Sequence, residues 1–372
     1  MTDAAPPRLT FRQRWHRLRT SPRFPFVLFF GLLVAGGLSQ VYCYWWDVRV
    51  TRMLARCNGS AERIPIYPQW VRKYLGNQFV SHFEPIRRVF LGRHRRSKND
   101  PRPGDLRLLR GTFFLRELYL HGPLHEGDVT HLKCLTQLRT VSYSGHPESV
   151  IDGVEHLPKL NCLYLHYLRS PDAMFFQRLV SLRQLETLHF SLENTSGGRD
   201  HLIEGMRELA KSQTLRRLES QLFDDEFLAL TSVLSDGSPP LPELRELRQS
   251  NSSGSLLTDR GLANLGNLTS LIHLDVRYSK VTDQGLIQLR ELPFLRTLFL
   301  ENCAAITDQG AAILATMHGL ESLNVSQSKI SQEGVLRVAA LPRLRSLRTS
   351  YGGKEMRAKL RQTLPAGCEL TY

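Results

Sequence analysis

Aspartate and glycine recur together along this chain of 372 residues, in "LTDRGLANL" at 257–265, "VTDQGLIQL" at 281–289 and "ITDQGAAIL" at 306–314. A carboxylate at a fixed place is what a general acid or base needs, and several oxygens together are what a hard cation needs. Both chemistries demand that different groups converge on one point. Here the acids are strung out instead: Asp128, Asp152, Asp172, Asp200, Asp225, Asp259, Asp283 and Asp308 each stand beside an apolar helical stretch. A helix start leaves backbone N–H groups unpaired, Asp or Thr oxygens accept from them, and negative charge suits the positive end of the helix dipole. The acids are therefore expected to start helices, and Gly285 to let its helix pack closely. No GxSxG, phosphate-binding loop, HExxH or EF-hand loop occurs, so the reading is not an enzyme: no catalytic residue, metal ligand or cofactor is assigned.

The imidazoles come next. Eight of the thirteen histidines lie between 121 and 201. If short strands stack in parallel about 4.8 Å apart, their outward positions form columns. One column then brings Tyr119, Tyr164 and His189 together, with His121 and His166 one step along. Imidazoles suit transition metals, yet no carboxylate or thiolate accompanies these. Aromatic and His side chains on a rigid sheet instead have the character of a binding hot spot. Further along, the columns hold Arg248, Asp275, Arg277, Phe299, Glu301 and Arg348. That mixture of signs argues against a reader of phosphate backbones, so nucleic acid is not the expected partner.

The elements that position these groups are written in a repeat. One phrase is restated ten times, beginning with "LRELYL" at 115, "LRTVSY" at 138 and "LNCLYL" at 160, and ending with "LRSLRT" at 344. The starts are 22 to 30 residues apart, a period that signals a solenoid. LxxLxL puts apolar side chains on one face of a short strand, and stretches such as "GLIQLREL" follow with helical spacing. Strand plus helix per turn, with "LRTLFLENC" at 295–303, resembles the leucine-rich repeat. More closely, "ITDQG" and its copies resemble the cysteine-containing repeats of F-box leucine-rich proteins, and equally bacterial membrane-anchored proteins such as those of planctomycetes. The resemblance implies an α/β horseshoe, with a parallel sheet on the concave face and helices on the convex face. It places repeats at 115–350, an N-terminal cap at 67–91 and a C-terminal cap at 351–372. Caps are needed because end repeats otherwise expose core leucines.

Ahead of the repeats, Phe24 to Trp46 holds no charged residue. About 20 apolar residues, rising about 1.5 Å each, cross the hydrocarbon layer, so 25–46 reads as one transmembrane helix. Arg8, Arg12, Arg14, Arg17, Arg19 and Arg23 precede it against Asp3 alone, which keeps the tail at 1–24 cytoplasmic and exports the repeats. A cleaved signal peptide ending near Gly37 or Ser39, giving a secreted product, is the alternative. Residues 47–66 read as a juxtamembrane linker.

The net charge of +14, from 49 Lys and Arg against 35 Asp and Glu, favours acidic partners. Residues 92–114 read as a basic loop and lead-in, where Arg93, Arg95, Arg96 and Lys98 are candidate contacts to anionic surfaces or polyanions. Six scattered cysteines form no metal module, and Cys57 with Cys134 is the least constrained bridge in an exported domain. The function expected is membrane-anchored, non-enzymatic recognition of a protein or peptide through the concave sheet, at Tyr119, His121, Tyr164, His166, His189, Arg248, Arg277 and Phe299. The alternatives are a ubiquitin-ligase substrate adaptor, which the repeat type implies, and attachment through the basic segment.

Overall fold

The structure, a computed structural model, describes residues 44–65, 69, 73, 85–92 and 104–372, apart from 113, 123–125, 145–146, 169–170, 194–199 and 250–256. Among them, thirteen strands form one sheet in strict sequence order. They are β1 (Ser60–Arg63), β2 (Ile86–Leu91), β3 (Glu117–His121), β4 (Thr140–Ser144), β5 (Cys162–Leu168), β6 (Thr187–Leu192) and β7 (Arg217–Ser220). They continue as β8 (Glu246–Gln249), β9 (His273–Asp275), β10 (Thr297–Phe299), β11 (Ser322–Asn324), β12 (Ser346–Arg348) and β13 (Glu369–Thr371). All neighbours from β2 onward are parallel, while β1 lies antiparallel to β2. Parallel neighbours need a crossover, and in most turns a short helix such as Ala173–Val180 or Asp308–Leu314 supplies it. The result is an α/β solenoid.

The LxxLxL phrase does what its spacing dictates. In β10 and β11, Leu298 and Leu323 point inward and are in register, and the leucines that open their phrases, Leu295 and Leu320, are also buried. The inward leucines join one continuous core that runs from Val50 to Leu360. Where the chain leaves β10, Asn302 takes a left-handed backbone conformation (φ 57°), as do Tyr278 and Gln327 at the same place in neighbouring turns. The next residue is small and polar: Ser279, Cys303 or Ser328. Ser279 Oγ lies 3.3 Å from Cys303 Sγ, which also reaches the Val276 carbonyl. Burial pushes the Cys303 thiol up, keeping it neutral.

The recurring acids work differently from the capping role expected of them. Among the described residues, Asp172 is the one of these acids that caps in that way, accepting from the Phe175 N–H at 2.8 Å, while Asp200 opens its helix as expected. Asp283 and Asp308 are the first helical residues, and Thr282 and Thr307 are the caps. Each carboxylate instead reaches one turn ahead. Asp259 accepts from the Thr282 N–H (2.8 Å) and hydroxyl (2.6 Å), and Asp283 accepts from the Thr307 N–H (2.8 Å) and hydroxyl (2.6 Å). Asp308 accepts from the Ser331 N–H at 2.8 Å, and Ser331 holds its carboxyl below the ordinary range. Upstream, Asp224 does the same for Thr258, while the neighbouring Asp225 only pairs with exposed Arg260. Asp152 is exposed within its helix and pairs with Arg178. A chain of Asp–Thr bonds thus ties successive turns together.

The glycines belong to that chain. A Cβ on Gly285 would land on the Asp259 carboxylate, one on Gly310 on that of Asp283, and one on Gly334 on that of Asp308. The close approach expected at Gly285 is therefore to the preceding turn's acid.

The N-terminal end departs from the sequence reading. Residues 44–56 are helical, and Val50, Met53, Leu54 and Cys57 are buried against the first turns. With β1 they close the array, so most of the segment read as a linker is cap. Arg63 pairs with buried Asp47 at 2.6 Å, and Arg56 pairs with Asp105. Cys57 Sγ donates to Asp105 at 3.5 Å, whereas exposed Cys134 lies beside Arg110, so the two cysteines are free and unbridged. Asp105–Gly111 forms a 3-10 helix with Leu106 and Leu109 buried, which makes the end of the basic lead-in part of the fold. The apolar run at 25–46 lies outside the described residues up to position 43. No helix among the described residues is long and apolar enough to cross a membrane.

Acid should loosen this end first. Arg88 is bidentate on Glu117 (2.5 and 3.0 Å) and holds its carboxyl below the ordinary carboxylate range. A depressed carboxylate contributes stability above its unfolded pKa and loses it as pH falls through the folded value. Amide exchange in β2 and β3 is expected to accelerate on acidification more than in β10 and β11, and equal acceleration would remove the Arg88–Glu117 pair as the cause.

Candidate binding face

The parallel register lines up one outward residue per strand. In order they are Phe90, Tyr119, Ser142, Tyr164, His189, Glu219, Arg248, Asp275, Phe299, Asn324, Arg348 and Thr371. Of the residues singled out in the sequence, Tyr164 and His189 are immediate neighbours, with ring centroids 5.9 Å apart. His166 joins them, 5.1 Å from His189. Tyr119 does not, because Ser142 stands between. Tyr119 stacks on Phe90 at 4.5 Å and donates to Glu117 at 3.3 Å. His121 is in register with Ser144, which separates it from His166.

The cluster has an acidic anchor that sequence reasoning missed. Glu219 Oε1 lies 3.5 Å from His189 Nδ1, and this contact holds the Glu219 carboxyl below its ordinary range. Burial pushes the Tyr164 phenol up, so it stays neutral and can donate. Tyr167 was also missed. It is 53% exposed, has a left-handed backbone (φ 59°), and sits 6.5 Å from His166. A bulky side chain held there at an energetic cost marks a place where surroundings over-determine the backbone. Strand periodicity could not find it, because β5 is irregular there: its register with β6 shifts between Leu165 and Leu168.

Farther along, the face becomes ionic. Arg248 reaches back to Glu246, which also receives Arg217. Arg277 lies just past β9 and closes on Asp275 at 2.8 Å, with Glu301 at 3.7 Å and the Phe299 ring at 5.8 Å. Phe299 also meets His273 edge-on at 5.1 Å. These two sequence-predicted residues therefore share one patch, separate from the Tyr164 cluster. Arg93, Arg95, Arg96 and Lys98 lie outside the described residues. Among the described residues, no group of three or more His, Cys, Asp or Glu is placed to hold a metal ion.

The face as a whole offers half-buried rings, then self-paired charges. It can bury apolar area and exchange hydrogen bonds with a partner. Residues 126–369 match the family model described as a leucine-rich repeat region. None of the curated proteins matches the sequence. Solved structures similar to the chain include the yeast complex of Rad7 and Elc1, at 15% identity and TM-score 0.42 over 93% of this chain and 91% of that one. Another is an internalin, inlF, of Listeria monocytogenes, at 15% identity and TM-score 0.44 over 82% and 93%. A third is TLR13 with ssRNA13, at 18% identity and TM-score 0.41, where the match spans 69% of this chain and 39% of that one. With the family model covering most of the chain and the repeat phrase present in turn after turn, this protein belongs to the leucine-rich repeat family.

Proposed function

We propose that this protein works by recognition without turnover, binding a protein or peptide through the sheet face around Tyr164, His166, Tyr167 and His189. The observation that carries this is the ring cluster itself: His189 lies 5.9 Å from Tyr164 and 5.1 Å from His166, on a rigid sheet, beside an exposed tyrosine. Rigid aromatic side chains bury area at low entropic cost, and a few of them dominate the affinity of an interface. The uncharged run at 25–46 supports membrane anchoring, with the repeats exported.

Crosslinking pull-down with the full chain tests the face. Tyr164→Ala with His189→Ala is expected to cut partner recovery about tenfold or more, the effect of removing a hot spot. Arg290→Ala, at the end of a helix opposite the sheet, is expected to leave recovery unchanged. Equal recovery from both variants would exclude this face. Protease protection of sealed vesicles tests the anchor independently: exported repeats stay protected in inside-out vesicles, whose lumen is the exported side, and digestion there would reverse the topology.

A further inference from the structure

A second surface lies at the edge from which the chain runs into β4 to β7. A cavity of about 640 Å³ opens there among the turns that precede these strands. Its walls carry four cations: Arg139, Lys159, Arg183 and Arg216. Among the described residues, only Arg216 of these has a carboxylate partner, Glu186 at 3.6 Å, and Lys159 donates to Gln137. Arg139 and Arg183 carry no ion pair among the described residues. The flanking Arg116 and Arg245, exposed at the same place in their turns, carry none either.

Several other arginines of the chain are neutralised instead. On the sheet face, Arg88, Arg217, Arg248 and Arg277 are each closed onto a carboxylate. Later along the same edge, Glu321 lies between Arg296 and Arg345 and pairs with both, at 3.1 and 3.5 Å. The stretch at β4 to β7 therefore holds positive charge uncompensated, inside a concavity whose walls focus the field. We infer that this edge cavity is a binding site for an acidic, extended peptide segment.

The rest of the lining favours a peptide over a polyanion backbone. Glu186 and Glu243 stand among the cations, and a strand of phosphates laid across the cavity would meet both. A peptide can seat its carboxylates on the arginines and turn backbone N–H groups toward these two acids. The amides of Asn161, Gln184 and Gln213, which both donate and accept, match the remaining peptide groups.

Fluorescence anisotropy with the full chain and a short labelled Glu-rich peptide tests the site. Binding is expected to weaken as salt rises, and to fall about tenfold or more in Arg139→Gln with Arg183→Gln. Arg343→Gln with Arg361→Gln removes the same charge at exposed positions elsewhere and is expected to leave binding unchanged. A single-stranded oligonucleotide of similar charge is expected to bind more weakly than the peptide. Absence of peptide binding, equal loss in both double variants, or tighter oligonucleotide binding that depends on Arg139 and Arg183 would each overturn the inference.

Discussion

Phe176→Ala should cost about 3–5 kcal/mol, the range for emptying a fully buried aromatic site. Phe176 is 0% exposed and meets Phe175 and Phe190 edge-on, at 5.3 and 5.6 Å between centroids. Its ring also occupies the space a Cβ at Gly205 would take, in the next helix. The ring thus joins the Ala173–Val180 helix, β6 and the Asp200–Ala210 helix, and no neighbour can relax without opening another contact. Because each turn of a solenoid touches mainly its neighbours, the damage should stay local. Amide exchange should rise in those three elements while β10 to β12 remain protected, and urea unfolding should develop an early phase. A single transition shifted by less than about 1 kcal/mol would mean that the site collapses without a cavity, contrary to the packing described.

What could be read in the sequence follows from periodicity. Leu298 and Leu323 are legible as inward positions because a strand alternates every residue, and the same rule puts Tyr164 beside His189. The rule fails where an intervening strand carries a small residue. Ser142 breaks the column between Tyr119 and Tyr164, and only the register, set by all the strands together, reveals it. The helix at 44–56 was hidden for another reason. Its apolar residues Val50, Met53 and Leu54 continue a much stronger apolar run, so local hydropathy draws the boundary in the wrong place.

The acids illustrate a deeper limit. Asp259, Asp283 and Asp308 sit where a capping acid would sit, and local grammar explains them without remainder. Their partners are Thr282, Thr307 and Ser331, 23 or 24 residues ahead. No local rule ties an acid to the hydroxyl of the following turn, and the same rule could not choose Asp224 over Asp225. What identifies the true residue is that its carboxylate fills the space left by a glycine one turn on. Asp, Thr and Gly recur together because each is a third of one contact.

That contact supports a double-mutant test whose effect should rival the loss of a core ring. Gly310→Val places its Cβ on Asp283 Oδ1, while that carboxylate is held by the Thr307 N–H and hydroxyl. The valine must either break two charge-assisted hydrogen bonds, worth about 1.5–3 kcal/mol each, or push the helices apart. Overpacking adds to this, so a loss of about 3 kcal/mol or more is expected. Asp283→Ala alone should cost about 2 kcal/mol, since Thr307 loses its acceptor yet is half-buried and can partly hydrate. With the carboxylate gone, however, only the side-chain ends of Ile306 (2.8 Å) and Leu286 (3.0 Å) still crowd the Cβ, and Gly310→Val should then cost about 1 kcal/mol of residual overpacking, helix propensity slightly favouring valine over glycine. The coupling in the cycle is therefore expected to be about 2 kcal/mol, in the direction of mutual relief. Strictly additive losses would mean that glycine and aspartate do not compete for one volume. Repeating the cycle at Asp259 and Gly285 should return the same sign, because the contact is built from the same three groups.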